Sequence, residues 1–365
     1  MSTKRIGISL YPGLWNSSEE IATALERAAK FGTTDVFTSL LIPEANPDAM
    51  IGDCERMCAK AEALGMRVTA DIAPVSFKRL GVTATNLERF KEMGLYGVRT
   101  DAGFSVEETA TIANNAHGLK LVLNASSIKA ETLSALKNAG VDLHKVGACH
   151  NFYPRIESGL SMDYMISQSR MLREFGVEVA AFVASRKNKR AVMYEGLPTV
   201  ETQRELSPGR AARELFATGV VDVVYIGDPL TPEEELEDLA RASAQDYLEL
   251  RVGVSGEPSE VEREVVFGRT HEQPWSVFAY TIRSRAARQT EIGPKVQPRN
   301  TVARPKGTVT VDNVNYARFA GEVQIALRDL PADPRVNVVG RVVEEDLPLL
   351  DLLGPGARFG FTPVS

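Results

Sequence analysis

GVRTDAGFSVEETATIANNAHGLKLVLNA, residues 97–125, contains a short apolar run, an amphipathic stretch and a second apolar run. The two apolar runs, 97–101 and 120–125, have the length of buried strands. The stretch between them has helical spacing, begins with acidic residues and ends at glycine, as helices commonly do. Apolar strands joined by one helix are typical of a parallel sheet that is covered on both faces. These residues therefore predict one β/α unit.

The same alternation of strand and helix patterns recurs from residue 4 to about residue 245. Eight apolar runs take part: residues 5–11, 35–41, 67–73, 97–101, 120–125, 143–150, 177–184 and 222–227. Eight such units in about 240 residues match a closed (β/α)8 barrel better than an open sheet. The first strand is not followed by G-x-G-x-x-G, and the chain has no G-x-x-x-x-G-K-[ST], the motifs of dinucleotide and P-loop sites. We predict an α/β barrel domain over residues 1–248.

The pattern changes after residue 250 to short alternating runs that are separated by Gly, Pro, Asn and Asp. The polar segment SGEPSEVERE, residues 255–264, predicts a linker, which we assign to residues 249–262. Strand-like runs follow at residues 265–269, 276–285, 307–315, 321–330, 336–343 and 357–364, with one helical stretch at 345–354. We therefore predict a small all-β barrel domain over residues 263–365.

The composition indicates a soluble globular protein. The 365 residues are 44% hydrophobic, and the net charge of −6 comes without a basic block, which argues against nucleic acid and anionic membranes as partners. The apolar run at the N-terminus breaks at Pro12, too early for a signal peptide. The three cysteines are an odd number with no second ligand pair, so we interpret them as thiols and expect a cytoplasmic protein without a metal.

Polar side chains follow nearly every predicted barrel strand. In a (β/α)8 barrel the carboxyl ends of the strands carry the functional site, so these residues converge on one rim. They are Glu44, Asp71, Arg99, Asp101, Asn124, His150, Asn151, Tyr153, Arg155, Arg186, Arg190, Tyr194, Glu195 and Asp228. Such convergence indicates an enzyme, although each aspartate alone is equally typical of a helix cap or a turn.

Several carboxylates without a metal-ligand motif suggest acid–base or glycosidic chemistry. Glycoside hydrolysis needs one carboxylic acid and one carboxylate on either side of the bond. Asp101 after strand four and Glu195 beyond strand seven are the candidate pair, and the further candidates are Asp71, Asp228 and Glu44. The basic cluster 186–190 follows strand seven, where barrels often bind phosphate.

Two other functions remain open at this point. A phosphosugar isomerase or aldolase would need a divalent metal or a Schiff-base lysine, for which Lys145 is the candidate. A non-catalytic sugar-phosphate-binding protein could use the same barrel.

The motifs at the strand ends, taken in order, resemble those of the bacterial 6-phospho-N-acetylmuramidase family. They are FTSLLIPE (37–44), DIAP (71–74), VRTDAGF (98–104), LNAS (123–126), HNFYPRIESGL (150–160), YEGLPTVETQR (194–204) and YIGD (225–228). FGRTHE (267–272) and the stretch 307–327 resemble the second domain of that family, so the likeness extends over the whole chain. The sequence departs from the family at Leu41 and Gln203, where histidine is common.

The resemblance implies a TIM barrel followed by a cyclophilin-like β domain. It also implies a cytosolic, cofactor-free glycosidase of cell-wall recycling, which cleaves 6-phospho-N-acetylmuramyl–N-acetylglucosamine delivered by a phosphotransferase transporter. Arg155, Arg186 and Arg190 would then hold the phosphate or the lactyl carboxylate. The residues expected to contact the sugar are Arg99, Asn124, His150, Asn151, Tyr153 and Tyr194. The second domain would either contribute Arg269, Thr270 and His271 or serve oligomerisation or stability. The oligomeric state stays open.

Overall fold

Eight parallel strands close into a barrel in the computed structural model, which describes residues 4–14, 17–41, 47–288 and 290–364. Each strand pairs with the next, and the eighth pairs with the first. The strands are β1 Arg5–Ser9, β2 Asp35–Ser39, β3 Arg67–Ile72, β4 Gly97–Thr100, β5 Lys120–Asn124, β6 Gly147–Cys149, β7 Glu178–Val183 and β8 Val223–Ile226. The prediction of a (β/α)8 barrel is confirmed.

Helices alternate with these strands. They are α1 Ser18–Ala29, α2 Pro47–Ala63, α3 Pro74–Leu80, α4 Glu88–Glu92, α5 Val106–Ala113, α6 Ala130–Asn138, α7 Met162–Glu174, α8 Pro208–Ala217 and α9 Glu233–Ala244. Helix α1 begins with a hydrogen-bonded cap, because the Ser17 hydroxyl accepts a hydrogen bond from the Glu20 amide at 3.2 Å. The sequence pattern does not predict helix α3, because seven residues span only two turns and are too few to show a helical period.

A ring of charged residues closes the amino-terminal end of the barrel. Each of its members is the first residue of its strand: Arg5, Asp35, Arg67, Lys120 and Glu178. Arg5 donates to Asp35 at 3.1 Å and to Glu178 at 2.6 Å, and Lys120 donates to Glu178 at 2.8 Å. Burial alone would raise the pKa of Glu178, but the hydrogen bonds from Arg5 and Lys120 outweigh it and lower the pKa to about 2.

Aromatic rings fill the barrel toward its other end. Phe37 and Phe182 meet edge to face with ring centroids 4.9 Å apart, and Tyr225 lies 5.4 Å from Phe182. Phe152, from the loop after β6, packs 5.2 Å from Phe182. The floor of the carboxyl-terminal rim is therefore aromatic and well packed.

The second compact unit comprises residues 245–365, and its sheet contains seven strands in the order β10-β15-β9-β14-β12-β13-β11. They are β9 Leu248–Val254, β10 His271–Glu272, β11 Thr281–Ser284, β12 Thr308–Asp312, β13 Val323–Ala326, β14 Val336–Val342 and β15 Arg358–Val364. The edge strands β10 and β11 are joined by a 2.9 Å hydrogen bond between the His271 ring and the Ser284 hydroxyl. The sheet is thus a nearly closed, barrel-like mixed sheet.

The domain boundary differs from the sequence-based assignment of a linker to residues 249–262. The two units divide between Ala244 and Gln245, and residues 249–254 belong to strand β9. The polar segment that follows leads into helix α10, Glu260–Phe267, where Ser259 and Glu262 form a capping box. Its polarity reflects a cap and an exposed helix face rather than a flexible connection.

One further stretch of the second unit differs from the patterns, and the helical stretch expected at 345–354 is present. Residues 265–269, expected as a strand, include the end of α10, because Val265 and Val266 form the buried face of that helix. Residues 344–352 form a 3-10 helix that buries Leu349 and Leu350. Of the helices described in either unit, none combines the length and the apolar character that crossing a bilayer requires.

We predict that Glu178→Gln destabilises the barrel by about 1–2 kcal/mol at pH 7, because it removes the acceptor of two cations in a partly buried ring. A pKa lowered in the folded state stabilises the protein above the unfolded value of 4.5, and this stabilisation is lost as the pH falls toward 2. The difference from wild type, measured by urea unfolding, should therefore shrink between pH 7 and pH 3. Glu62→Gln, at an exposed position of α2, is the control, and an equal loss in both variants would contradict the role of the ring.

Candidate active site

Arg99 connects the ends of three strands at the carboxyl-terminal rim. Its side chain is 3% exposed and donates to Asp71 Oδ1 at 2.7 Å, to the Cys149 carbonyl at 3.2 Å and to Asn151 Oδ1. Burial raises the pKa of Asp71, and nearby Asp101 adds to the increase, while Arg99 opposes it. The guanidinium thereby fixes Asp71 and Asn151 on either side of β4.

Asp101 is oriented by Asn124. The Asn124 Nδ2 donates to Asp101 Oδ1 at 2.9 Å, while its own Oδ1 accepts from the Ser126 amide at 3.0 Å. The second contact fixes which end of the Asn124 amide faces Asp101. Asp101 is half-buried, so its carboxylate is both oriented and reachable from solvent.

His150 lies beneath this network and has no exposed surface. Its ring nitrogens face the hydroxyls of Ser126 at 3.2 Å and Ser169 at 3.0 Å, and the Ser126 hydroxyl also accepts from the Asn151 amide at 2.9 Å. Burial, reinforced by Arg99, lowers the pKa of His150 to about 3. The expectation that His150 contacts the sugar is therefore corrected, because the ring is enclosed and supports Asn151 from below.

Asp228, a further catalytic candidate in the sequence, also lies in a different environment from the one expected. It has no exposed surface; its Oδ2 accepts from the amides of Ser185 at 2.8 Å and Leu197 at 3.2 Å, and its Oδ1 accepts from the Arg190 amide at 2.8 Å. Burial raises its pKa, although these three amides act in the opposite direction. Asp228 therefore fastens both ends of the loop after β7.

A second buried carboxylate, which sequence analysis missed, anchors the same loop. Glu235 in α9 accepts from the Ser185 hydroxyl at 2.7 Å and from the Arg186 amide at 2.8 Å. In the sequence it stands among the acidic residues that open α9, and nothing distinguishes it from a solvent-facing first turn.

Arg190 presents its guanidinium over two aromatic rings. It lies 4.7 Å from the ring centroid of Tyr11 and 4.9 Å from that of Phe152, and the Tyr11 hydroxyl donates to the Gly227 carbonyl at 2.6 Å. In the described parts of the chain, no carboxylate forms an ion pair with Arg190. Its neighbours differ, because Arg186 and Lys189 each lie 3.1 Å from Glu205 and Lys187 pairs with Glu234.

A cavity of about 460 Å³ opens beside Arg190. It is lined by Leu14, residues 187–191, Tyr194, Pro229 and Leu230. Tyr194 is 63% exposed and has a positive φ of 54°. The Tyr194 ring suits stacking on the face of a sugar, and the cationic side chains along the cavity wall suit an anionic group on the same ligand.

Glu195 follows Tyr194 on this loop. The Glu195 carbonyl accepts from Arg204 at 3.3 Å, and its half-buried carboxylate accepts no hydrogen bond from residues that the structure describes. Tyr153 and Arg155 lie on the loop after β6. The Tyr153 amide donates to the Pro198 carbonyl at 3.0 Å, and the Arg155 side chain is exposed.

Eight of the candidate residues thus form two groups at the rim. Hydrogen bonds link Asp71, Arg99, Asp101, Asn124, His150 and Asn151 into one network, and Arg190 and Tyr194 surround the cavity. Glu44 lies outside the described residues.

Three other residues singled out in the sequence are not part of either group. Lys145 is 84% exposed in the 3-10 turn before β6, at the amino-terminal end of that strand, so the Schiff-base alternative lacks its lysine at the rim. Gln203 is fully buried and donates to Glu214 at 2.8 Å. His271 is enclosed in the second unit, where burial lowers its pKa to about 4.

We predict that the ring of His150 stays neutral from pH 7.5 down to about pH 4.5. Its folded-state pKa of about 3 lies below the unfolded value of 6.5, so stability is lost as the pH falls below 6.5, by about 2 kcal/mol at pH 5 from this residue. The ¹⁵N chemical shifts of the histidine rings measure the protonation state, with His150→Gln as the variant for assignment. A midpoint above pH 6 for His150 would contradict the buried position.

Comparison with protein families matches both units. Residues 6–241 match the family described as "6-phospho-N-acetylmuramidase, N-terminal", and residues 248–362 match "6-phospho-N-acetylmuramidase, C-terminal". An uncharacterized B. cereus protein of known structure is 31% identical with a TM-score of 0.86, over 99% of this chain and 100% of that one. A conserved Enterococcus faecalis protein of unknown function is 32% identical with a TM-score of 0.68, over 98% and 96% of the two chains. Comparison with curated proteins gave no match. Since both units match in order, the chain belongs to the 6-phospho-N-acetylmuramidase family and is a glycoside hydrolase.

Proposed function

We propose that this enzyme hydrolyses the glycosidic bond of 6-phospho-N-acetylmuramyl–N-acetylglucosamine with a pair of carboxylates at the barrel rim. The observation that carries the proposal is the combination of an oriented carboxylate network with the Arg190 guanidinium, which lies over two aromatic rings and forms no ion pair with a described carboxylate, although the charge of buried Asp228 is felt there. A substrate with a fixed anionic group and a glycosidic bond offers a partner to each of them.

Asp101 and Glu195 are the proposed catalytic pair. Asn124 holds Asp101 in one orientation, as a nucleophile or a general base requires. The half-buried Glu195 carboxylate accepts no hydrogen bond from a described residue, so it is available to contact the leaving oxygen of a bound substrate as the proposed general acid. Asp71 is tied to Arg99, so we assign it to positioning rather than to proton transfer.

Arg190 is the proposed anchor for the phosphate. A guanidinium offers a phosphate monoester two parallel hydrogen bonds, and the Tyr11 and Phe152 rings support it from behind. Arg186 and the adjacent Lys189 are both already paired with Glu205. Asn151 and Tyr153 would then orient the sugar hydroxyls and the acetamido group.

We also infer the cellular context from the substrate. A sugar phosphate of this kind arises when a phosphotransferase transporter phosphorylates a wall-derived disaccharide during uptake. The reaction would then serve cell-wall recycling in the cytoplasm, with no requirement for a metal or an organic cofactor.

The direct test compares the 6-phosphorylated disaccharide with its unphosphorylated form, each with and without EDTA. We expect hydrolysis of the phosphorylated substrate alone, unaffected by EDTA. Asp101→Asn and Glu195→Gln should each lower kcat/KM by about 10²–10⁴-fold, the usual range for a positioned acid or base. Binding of the phosphorylated disaccharide without turnover by wild type would refute the proposal and favour a non-catalytic binding protein.

The anchor role of Arg190 predicts a change in KM. Arg190→Lys keeps the charge but loses the planar fork, so KM for the phosphorylated substrate should rise about tenfold or more, whereas kcat should change less. Arg67→Lys is the matched control, because Arg67 also lies over a ring, 5.1 Å from that of Tyr96, but at the other end of the barrel. Equal effects of the two substitutions would assign Arg190 to stability alone.

A further inference from the structure

The loops after β6 and β7 run together along one side of the rim. The Leu160 amide donates to the Thr199 carbonyl at 2.9 Å, and the Glu201 amide donates to the Leu160 carbonyl at 2.9 Å. The Thr199 hydroxyl also donates to the Asn151 carbonyl at 2.9 Å. The two loops therefore form one wall, although each follows a different strand.

Arg204 holds this wall from within. It is 5% exposed, and its Nη1 donates to the carbonyls of Tyr153 at 2.9 Å, Glu195 at 3.3 Å and Gly196 at 3.1 Å. Its Nη2 donates to the Arg155 carbonyl at 3.1 Å. A single guanidinium thus connects two carbonyls of the first loop to two of the second.

Glu201 completes the arrangement from the same short segment. Arg204 donates to its two oxygens at 2.7 and 2.6 Å, and the amides of Glu157 at 2.9 Å and Gly159 at 2.7 Å donate to them as well. The Arg204 hydrogen bond is the largest cause that lowers the pKa of Glu201, to about 2. The carboxylate therefore stays ionised, and the contact persists, at any pH at which the enzyme would work.

The geometry of these contacts requires arginine. The side chain has five N–H donors in a rigid plane, and all three nitrogens are used here. Lysine offers three donors from one atom and cannot reach acceptors on two sides of a plane. If Arg204 only stabilised the fold, its ion pair with Glu201 would suffice. Its contacts with four carbonyls, two from each loop, also fix the positions of the two loops relative to each other.

We propose that Arg204 is a positioning residue, which sets the place of Glu195 and of the Tyr153 segment at the rim. The inference rests on the proposed function in so far as Glu195 acts on substrate. A displacement of about 1 Å at a reacting group can cost about 10²-fold in rate. Loss of Arg204 should therefore lower kcat more than it changes KM, because the phosphate anchor Arg190 is held independently by Asp228.

The experiment compares Arg204→Ala and Arg204→Lys with Arg173→Ala. Arg173 is a matched control: its Nη1 lies 2.7 and 2.8 Å from the two oxygens of the buried Asp222, which directly precedes β8 at its amino-terminal end. Each alanine variant leaves a carboxylate without its arginine, so thermal unfolding first establishes whether their stabilities are comparable. Turnover is then measured with and without a low concentration of guanidinium, and hydrogen exchange is measured on the intact chains.

We expect kcat of Arg204→Ala to fall about 10–10²-fold, with partial rescue by guanidinium and faster exchange limited to residues 153–159 and 194–196. Arg204→Lys should fall similarly without rescue, and Arg173→Ala should keep its kcat. Equal kcat losses in both alanine variants, or no local change in exchange, would overturn the positioning role. If wild type does not turn over the disaccharide, the proposed function fails, and the exchange pattern alone decides whether Arg204 orders the two loops.

Discussion

A guanidinium buried at the end of a barrel strand must be surrounded by acceptors, because a charge without partners in the interior costs several kcal/mol. Arg99 satisfies this constraint with a carboxylate from β3, a carbonyl from β6 and an amide oxygen from the residues after it. Three strand ends are thereby fixed relative to one another. The backbone N–H of Asn151 donates to the Ser126 hydroxyl, which also contacts the His150 ring. The network therefore extends from the rim into the core.

On the other side of the rim the buried charge is negative, and its partners are hydrogen-bond donors. Asp228 is a buried carboxylate and gathers three backbone amides, and this fixes the loop that carries Arg190 and Glu195. The barrel thus orients its exposed functional groups by satisfying buried ones. Arg190 forms no ion pair with a carboxylate in the parts of the chain described, and this supports its proposed role as the anchor for a substrate anion.

Sequence alone predicts the barrel because strand and helix periodicities are local and repeat eight times. It also assigns the candidate residues to one rim, since strand ends in such a barrel share one face. It cannot separate Asp101 from Asp228, because both are aspartates that follow a strand, and only the enclosing amides show that one is structural. Arg204 was missed because its acceptors are backbone carbonyls, which have no residue type to recognise. The linker was misjudged because a capped, amphipathic helix and a polar connection have similar composition.

The central claim is that substrate lies with its phosphate on Arg190 and its glycosidic bond beside Asp101 and Glu195. The most direct measurement is a crystal structure of Glu195→Gln, as the intact chain, with the 6-phosphorylated disaccharide bound. The account predicts the phosphate within hydrogen-bond distance of the Arg190 guanidinium and the anomeric carbon next to the Asp101 carboxylate. A phosphate bound elsewhere, with Asp101 away from the anomeric carbon, would contradict it.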